Sequence, residues 1–339
     1  MLQTAFHAWE RRLASATTDR VVRTFEWGLD WIAGDTNVLA WVDRVMKDTD
    51  CFFTPAPTTD YSLTTPSPDG DRLLTFPSAL STPHPENNVV YCRYFRARAK
   101  RARPRAAVLV LPQWNADNGG HLGLCRLLTW NGMSALRLSL PYHHQRMPPE
   151  LHRADYIVSS NVARTVQVCR QAVLDARRAI AWLASQGYER IGILGTSLGS
   201  CLALLTTAHE PLIRAEALNH ISPYFADVVW RGLSTEHVRH GLDGHIDLDA
   251  LRALWKPISP QWYLDRLRDR QTLLVYAKYD LTFPVDLSED LVRDFRERGV
   301  PHEAVVLPCG HYSTGKAPFK YWDGWVLTRF LKRALLQSA

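Results

Sequence analysis

The chain has 339 residues, 46% hydrophobic and 22% charged, an ordinary globular composition with enough apolar mass for a sizeable core. Its formal charge of +6 and isoelectric point of 9.0 are mild for this length. No zinc finger, RNP-type aromatic motif or basic heptad helix accompanies them, so nucleic acid is not expected as a partner.

The N-terminus, Met1-Leu-Gln-Thr-Ala-Phe-His-Ala-Trp-Glu-Arg-Arg12, carries charges where a signal peptide needs an apolar run. No stretch of about 18 uncharged apolar residues follows, so no transmembrane segment is expected. The six cysteines form no Cys-x-x-Cys pair; isolated buried thiols and a reducing compartment are the expectation, hence a soluble, cytoplasmic protein. Residues 1–60 read as a Trp-rich helical extension, with Val21, Phe25, Leu29 and Ile32 predicting a helix over Arg20–Ile32. A Pro, Thr and Ser-rich loop spans Thr54–Gly70.

From residue 70 to 339 strands and helices alternate. Arg72–Pro77 and Val89–Phe95 are candidate strands, and Ala106–Leu111 is a continuous apolar run of the kind a strand buried on both faces requires. Arg93–Arg105 is a basic stretch, read either as a solvated hairpin end or as a patch for anionic lipid or an acidic polymer. His121–Asn131 reads as helix and Ser134–Leu140 as strand. Ser160–Gln186 shows one apolar helical face and stops at Gly187. Arg190–Leu194, Ala215–Asn219, Thr272–Ala277 and Glu303–Leu307 complete the strands. Trp322, Val326 and Phe330 mark a C-terminal helix. This pattern predicts an α/β fold with a mostly parallel central sheet covered by helices on both faces.

The chemistry begins at Gly195-Thr-Ser197-Leu-Gly199, directly after the strand Ile191–Leu194 and directly before a helical stretch. A sharp strand–turn–helix junction with small flanking residues pushes the Ser197 hydroxyl into a cleft and aims a helix N-terminus at a developing oxyanion. Asp280 lies just beyond the strand ending at Ala277, and His311 follows the last strand on a Gly-containing loop. The order serine, acid, histidine suits nucleophile, orienting carboxylate and general base; Asp286 is the rival acid. Leu198 N–H is one expected oxyanion donor. The loop Leu111-Pro-Gln-Trp-Asn-Ala-Asp117 offers Trp114 N–H, or Gln113 N–H, as the other. His143 and Arg146, in the loop after the fourth core strand, are candidate substrate contacts, with a fold-stabilising salt bridge or backbone contact as the stronger alternative for Arg146. His143 and His144 are adjacent and form a poor metal pair, so no metal site is expected.

These ordered motifs resemble the α/β-hydrolase superfamily over about residues 70–339. Pro141-Tyr-His-His-Gln-Arg-Met-Pro148 and the long helix leading to Gly195–Gly199 are similar to a narrower branch, the α/β-hydrolase domain-containing protein 18 family. The resemblance implies cofactor-free hydrolysis of an ester, thioester or amide. Within it the leading expectation is a carboxylic-ester hydrolase working through an acyl-enzyme on a small-molecule ester or lipid, with peripheral membrane contact left open. A peptidase or amidase on the same three residues, and a non-catalytic binding module on the same fold, are the alternatives. The long connection 220–270, rich in aromatic residues, is expected to form a cap over the site.

Overall fold

The computed structural model describes residues 2–68, 70–97 and 105–337. Of the basic stretch Arg93–Arg105, residues 98–104 lie outside the described residues. Three helices open the chain, α1 (Leu2–Ser15), α2 (Val38–Lys47) and α3 (Thr49–Phe52). Then follow β1 (Ser62–Leu63), β2 (Arg72–Pro77), β3 (Val89–Phe95), β4 (Ala106–Leu111), α4 (Leu122–Trp130), β5 (Ser134–Leu138), α5 (Val162–Ser185), β6 (Arg190–Thr196), α6 (Leu198–His209) and β7 (Ile213–Asn219). The long connection carries α7 (Phe225–Arg231), α8 (Glu236–Leu242) and α9 (Leu248–Leu254). The chain closes with β8 (Gln271–Ala277), α10 (Val285–Glu297), β9 (His302–Leu307) and α11 (Phe319–Leu336).

The strands form one sheet in the order β1-β2-β3-β5-β4-β6-β7-β8-β9. The pairs from β1 to β5 are antiparallel, and every pair from β5–β4 onward is parallel. Side chains alternate between faces along each strand. On β4, Ala107, Leu109 and Leu111 enter the core beneath α5 and α6, while Ala106, Val108 and Val110 enter the one beneath α4 and α11. Because β4 sits between β5 and β6, the chain order reverses there, and the loops after β4 and β6 meet at the carboxyl edge of the sheet. Open α/β sheets hold their ligands at such a point.

The helix expected over Arg20–Ile32 does not form. Residues 20–27 cross the start of α5 in extended form, Glu26 donating its N–H to Ser160 O (3.1 Å) and accepting at its carbonyl from Val162 N (2.9 Å), and only Leu29–Trp31 form a single 3-10 turn. The chain turns at Gly28, φ +69°, where a Cβ would collide with the Asn161 side chain. Asn161 in turn caps α5 by accepting from Arg164 N at 3.0 Å. Backbone pairing to an already buried helix outweighs the weak local periodicity. The rest of the N-terminal region lies along α5: Gln167, Arg170, Arg177 and Arg178 donate to the carbonyls of Trp31, Phe52, Phe53 and Ala56. Ser134–Leu140 is strand only as far as Leu138.

Of the two readings of Arg146, the structure corrects the substrate contact and supports the fold-stabilising salt bridge. The residue is fully buried, pairs with the equally buried Asp175 on α5 at 2.8 Å, and donates to Asn87 O and Ser139 O. It fastens the loop after β5 to the long helix and is absent from the cavity lining. Removing one partner of such a pair leaves the other charge buried and alone. Arg146→Ala is therefore expected to destabilise the fold by about 3–5 kcal/mol, read as a lowered urea midpoint; an unchanged midpoint would show that Asp175 finds another partner.

Candidate active site

Ser197 sits at the junction of β6 and α6 with φ 56° and ψ −122°, a backbone conformation that costs a non-glycine residue about 1–3 kcal/mol. The two flanking glycines make the turn possible. A Cβ on Gly195 would collide with the Gly199 carbonyl, and one on Gly199 with the carbonyls of Leu111 and Pro112. The turn therefore brings the start of α6 against the end of β4, and Ser197 N–H is tied to Asn219 O at 2.7 Å.

His311 lies on the loop after β9. Its Nε2 is 3.1 Å from Ser197 Oγ and its Nδ1 is 2.9 Å from Asp280 Oδ2. Asp280 follows β8, buried, with Oδ1 accepting from the backbone N–H of Thr282 (2.8 Å) and Phe283 (2.7 Å). The structure thus brings all three sequence-predicted residues into one hydrogen-bonded chain. Asp286, the rival acid, instead pairs with Arg231 on the surface. Burial alone would raise the Asp280 carboxyl, but the charge of His311 and hydrogen bonds from His220 and His311 outweigh it and hold it below the ordinary carboxylate range. Burial alone would lower His311; the facing Asp280 carboxylate and the charge of Glu10 outweigh it and raise the imidazole above its ordinary value.

Two residues of this site were not found in the sequence. His220, the first residue after β7, is buried and brings Nδ1 to the same Asp280 oxygen at 3.0 Å, its ring centre 4.5 Å from that of His311. Burial and the neighbouring His311 charge lower its pKa, so it faces Asp280 as a neutral N–H donor. An ionisable residue at the end of a core strand was the available signal. One nitrogen of each ring and one Asp280 oxygen fall within 4.8 Å of one another, a spacing a small cation could use. The 2.9 and 3.0 Å separations are those of N–H···O bonds, and they account for the cluster. Glu10, on α1, is the second residue. Fully buried, it accepts from Tyr312 N (2.8 Å) and Ser313 N (2.9 Å), and a Cβ on Gly310 would strike its side chain. Nothing in its helix distinguishes it from a surface acid.

The N–H groups of Leu198, Gln113 and Trp114 have no acceptor among the described residues. Trp114 is anchored by its ring N–H to Ala154 O (2.9 Å) and stacks on His237. His143 lines the cavity, but Nε2 accepts from Asn115 N (2.9 Å) and Nδ1 faces Pro141 O (2.9 Å). Burial lowers its pKa to about 3, so a neutral ring braces the 113–117 loop. His144 meets Arg137 at 3.4 Å.

Ser197 and His311 open into a cavity of about 1540 Å³. Its lining includes Trp114, Met147, Tyr224, Phe225 and Val228, and, from the other face of the sheet, residues of α4 and α11; these two sets are called its two arms. Of the aromatic residues in the 220–270 connection, Tyr224 and Phe225 reach the cavity, whereas Trp255 is buried against α5, donating to Val162 O. No helix of the described residues is long and apolar enough to cross a membrane. Five cysteines are buried and Cys51 is exposed, all unpaired.

No protein-family model and no curated protein matches the sequence. Solved structures do match. Acetyl xylan esterase from Paenibacillus sp. R4 aligns over 96% of this chain and 99% of its own, with TM-score 0.62 and 15% identity. Carboxyl esterase 2 from Tuber melanosporum aligns over 89% and 99%, with TM-score 0.53 and 17% identity. The acylaminoacyl peptidase of Pyrococcus horikoshii aligns over 83% of this chain and 43% of its own, with TM-score 0.62 and 12% identity; the chain spans less than half the length of that peptidase. The fold is therefore the α/β-hydrolase fold.

Glu10→Gln removes a negative charge beside the His311 loop. His311 is expected to titrate at a lower pH in this variant, followed by imidazole NMR. An unchanged midpoint would mean that the Glu10 charge does not reach the ring.

Proposed function

We propose that the chain is a serine hydrolase that cleaves a carboxylic ester through an acyl-enzyme on Ser197. One observation carries this reading: the unbroken chain Ser197 Oγ–His311–Asp280 at the floor of a large cavity. In the proposed cycle His311 Nε2 takes the Ser197 proton as the oxygen attacks the ester carbonyl, then gives that proton to the leaving alcohol. Water repeats the sequence and releases the acid. Asp280 keeps the Nδ1–H tautomer and stabilises the imidazolium. The N–H of Leu198, with that of Trp114 or Gln113, receives the oxyanion at the start of α6. No step requires a cofactor.

One feature supports an ester with an apolar acyl group. The Tyr224, Phe225, Val228 and Met147 wall suits an acyl chain, so lipid esters and thioesters fall within the proposed class. We assign the 220–270 connection as a cap over this arm and residues 1–60 as an extension that braces the His311 loop through Glu10. The narrower resemblance to the α/β-hydrolase domain-containing protein 18 family rests on the sequence segments alone. A cytoplasmic location fits the six unpaired thiols.

Ser197→Ala deletes only a hydroxyl. It is expected to keep the thermal midpoint, abolish labelling by a fluorophosphonate and lower ester turnover by about five orders of magnitude or more. Labelling or near-normal turnover in the folded variant would refute the proposal.

A further inference from the structure

The second arm of the cavity holds polar atoms that the proposed reaction does not use. Strand alternation sends Thr196 and Asn219, at the ends of β6 and β7, to the face covered by α4 and α11. There Asn219 Nδ2 donates to Asp323 Oδ2 at 2.9 Å, and Thr196 Oγ1 lies 3.0 Å from His121 Nε2. These contacts leave Asn219 Oδ1, Asp323 Oδ1, Thr328 Oγ1 and His121 Nδ1 buried without a partner among the described residues. Asn219 is 2% exposed and Thr328 3%. All five residues line the cavity that contains Ser197, and Thr196 is its immediate neighbour in the chain. A buried polar group without a partner is costly, so four such atoms on residues of one cavity lining point to a polar ligand.

We propose that this arm binds the polyhydroxylated alcohol portion of the ester, with Asn219, Asp323, Thr328 and His121 receiving its hydroxyl groups. The assignment rests on the hydrolase reading of Ser197. The unpartnered set consists of oxygens and an imidazole nitrogen, which calls for a ligand rich in O–H or N–H donors. The mouth of the arm carries Lys320, Arg329 and Lys332, which disfavours an ammonium group and leaves neutral hydroxyls. Burial raises the Asp323 carboxyl to about 7, so near neutrality it both donates and accepts, as a hydroxyl partner requires. Trp130 and Trp325, exposed at the same mouth, offer flat apolar faces to the C–H surface of a polyol. With the alcohol here and the acyl chain beneath Tyr224 and Phe225, the carbonyl lies over Ser197. The Ser197 Oγ–acyl bond forms, the acyl–alkoxide bond breaks, and His311 returns its proton to the departing polyol.

The test compares kcat/KM for glyceryl monoacetate and ethyl acetate, which share an acyl group and differ in the alcohol. Wild type is expected to favour the glyceryl ester, with the ratio falling about fivefold in Thr328→Val, the effect of one lost hydrogen bond, and restored in Thr328→Ser. A wild-type ratio of one, or a ratio unmoved by Thr328→Val, overturns the proposal. Saturation-transfer NMR with xylitol on Ser197→Ala reads the same site without turnover. Signal is expected there and lost in Ser197→Ala/Thr328→Val; no xylitol signal shows a site filled by water alone and overturns the proposal. Absence of any esterase activity with the xylitol signal intact would instead refute the hydrolase reading and leave the polyol site standing.

Discussion

A negative charge buried beneath the surface is the constraint around which this molecule is arranged. Asp280 has lost its water, and an isolated carboxylate in that place would protonate. Four donors prevent this: the N–H groups of Thr282 and Phe283 on one oxygen, the imidazoles of His220 and His311 on the other. The turn after β8 supplies the first two, and the ends of β7 and β9 the others. The carboxyl edges of three neighbouring strands thus converge on a single carboxylate. Their order in the sheet, β7-β8-β9, is the order in which His220, Asp280 and His311 must stand.

The arrangement has a second layer. His311 gains its raised pKa from Asp280 on one side and from Glu10 on the other. Glu10 also holds the His311 loop in place by accepting two backbone N–H groups, so one side chain sets both the position of the imidazole and part of its charge balance. The N-terminal extension is consequently tied to the site, and its Phe6 stacks on Tyr279, next to Asp280, with ring centres 4.5 Å apart. On the opposite flank His143 fixes Asn115 and with it the loop that presents Gln113 and Trp114. The strained Ser197 backbone is held between these supports, where packing and hydrogen bonds outweigh its local cost.

Much of this was readable from the sequence, for reasons that are local. Ala106–Leu111 announces a strand buried on both faces because every residue is apolar, and Gly195 and Gly199 announce a turn because no other residue leaves room for the Gly199 and Leu111 carbonyls. Ser197, Asp280 and His311 each follow a strand, so their placement comes with the strand pattern. What the sequence concealed is long-range. Glu10 and Ser313 are 303 positions apart, and α1 carries no mark of the contact. For Arg146 the sequence shows a salt bridge as readily as a cleft cation, since a loop arginine reads the same whether it faces a cavity or a carboxylate; its partner Asp175 lies 29 positions on, within a helix face, and nothing local names it. Arg20–Ile32 carried helical spacing, but the start of α5 offered its backbone hydrogen bonds that no isolated helix could match.

If the ionised Asp280 carboxylate sets the tautomer and orientation of His311, its replacement by a neutral isostere must disable Ser197 without disturbing the fold. The most direct measurement is the second-order rate constant for fluorophosphonate labelling of Ser197 in wild type and in Asp280→Asn, with the thermal midpoints compared in parallel. The expected result is a loss of about four orders of magnitude in labelling rate from a protein that remains folded. A folded Asp280→Asn variant that labels at the wild-type rate would contradict the role given to this carboxylate.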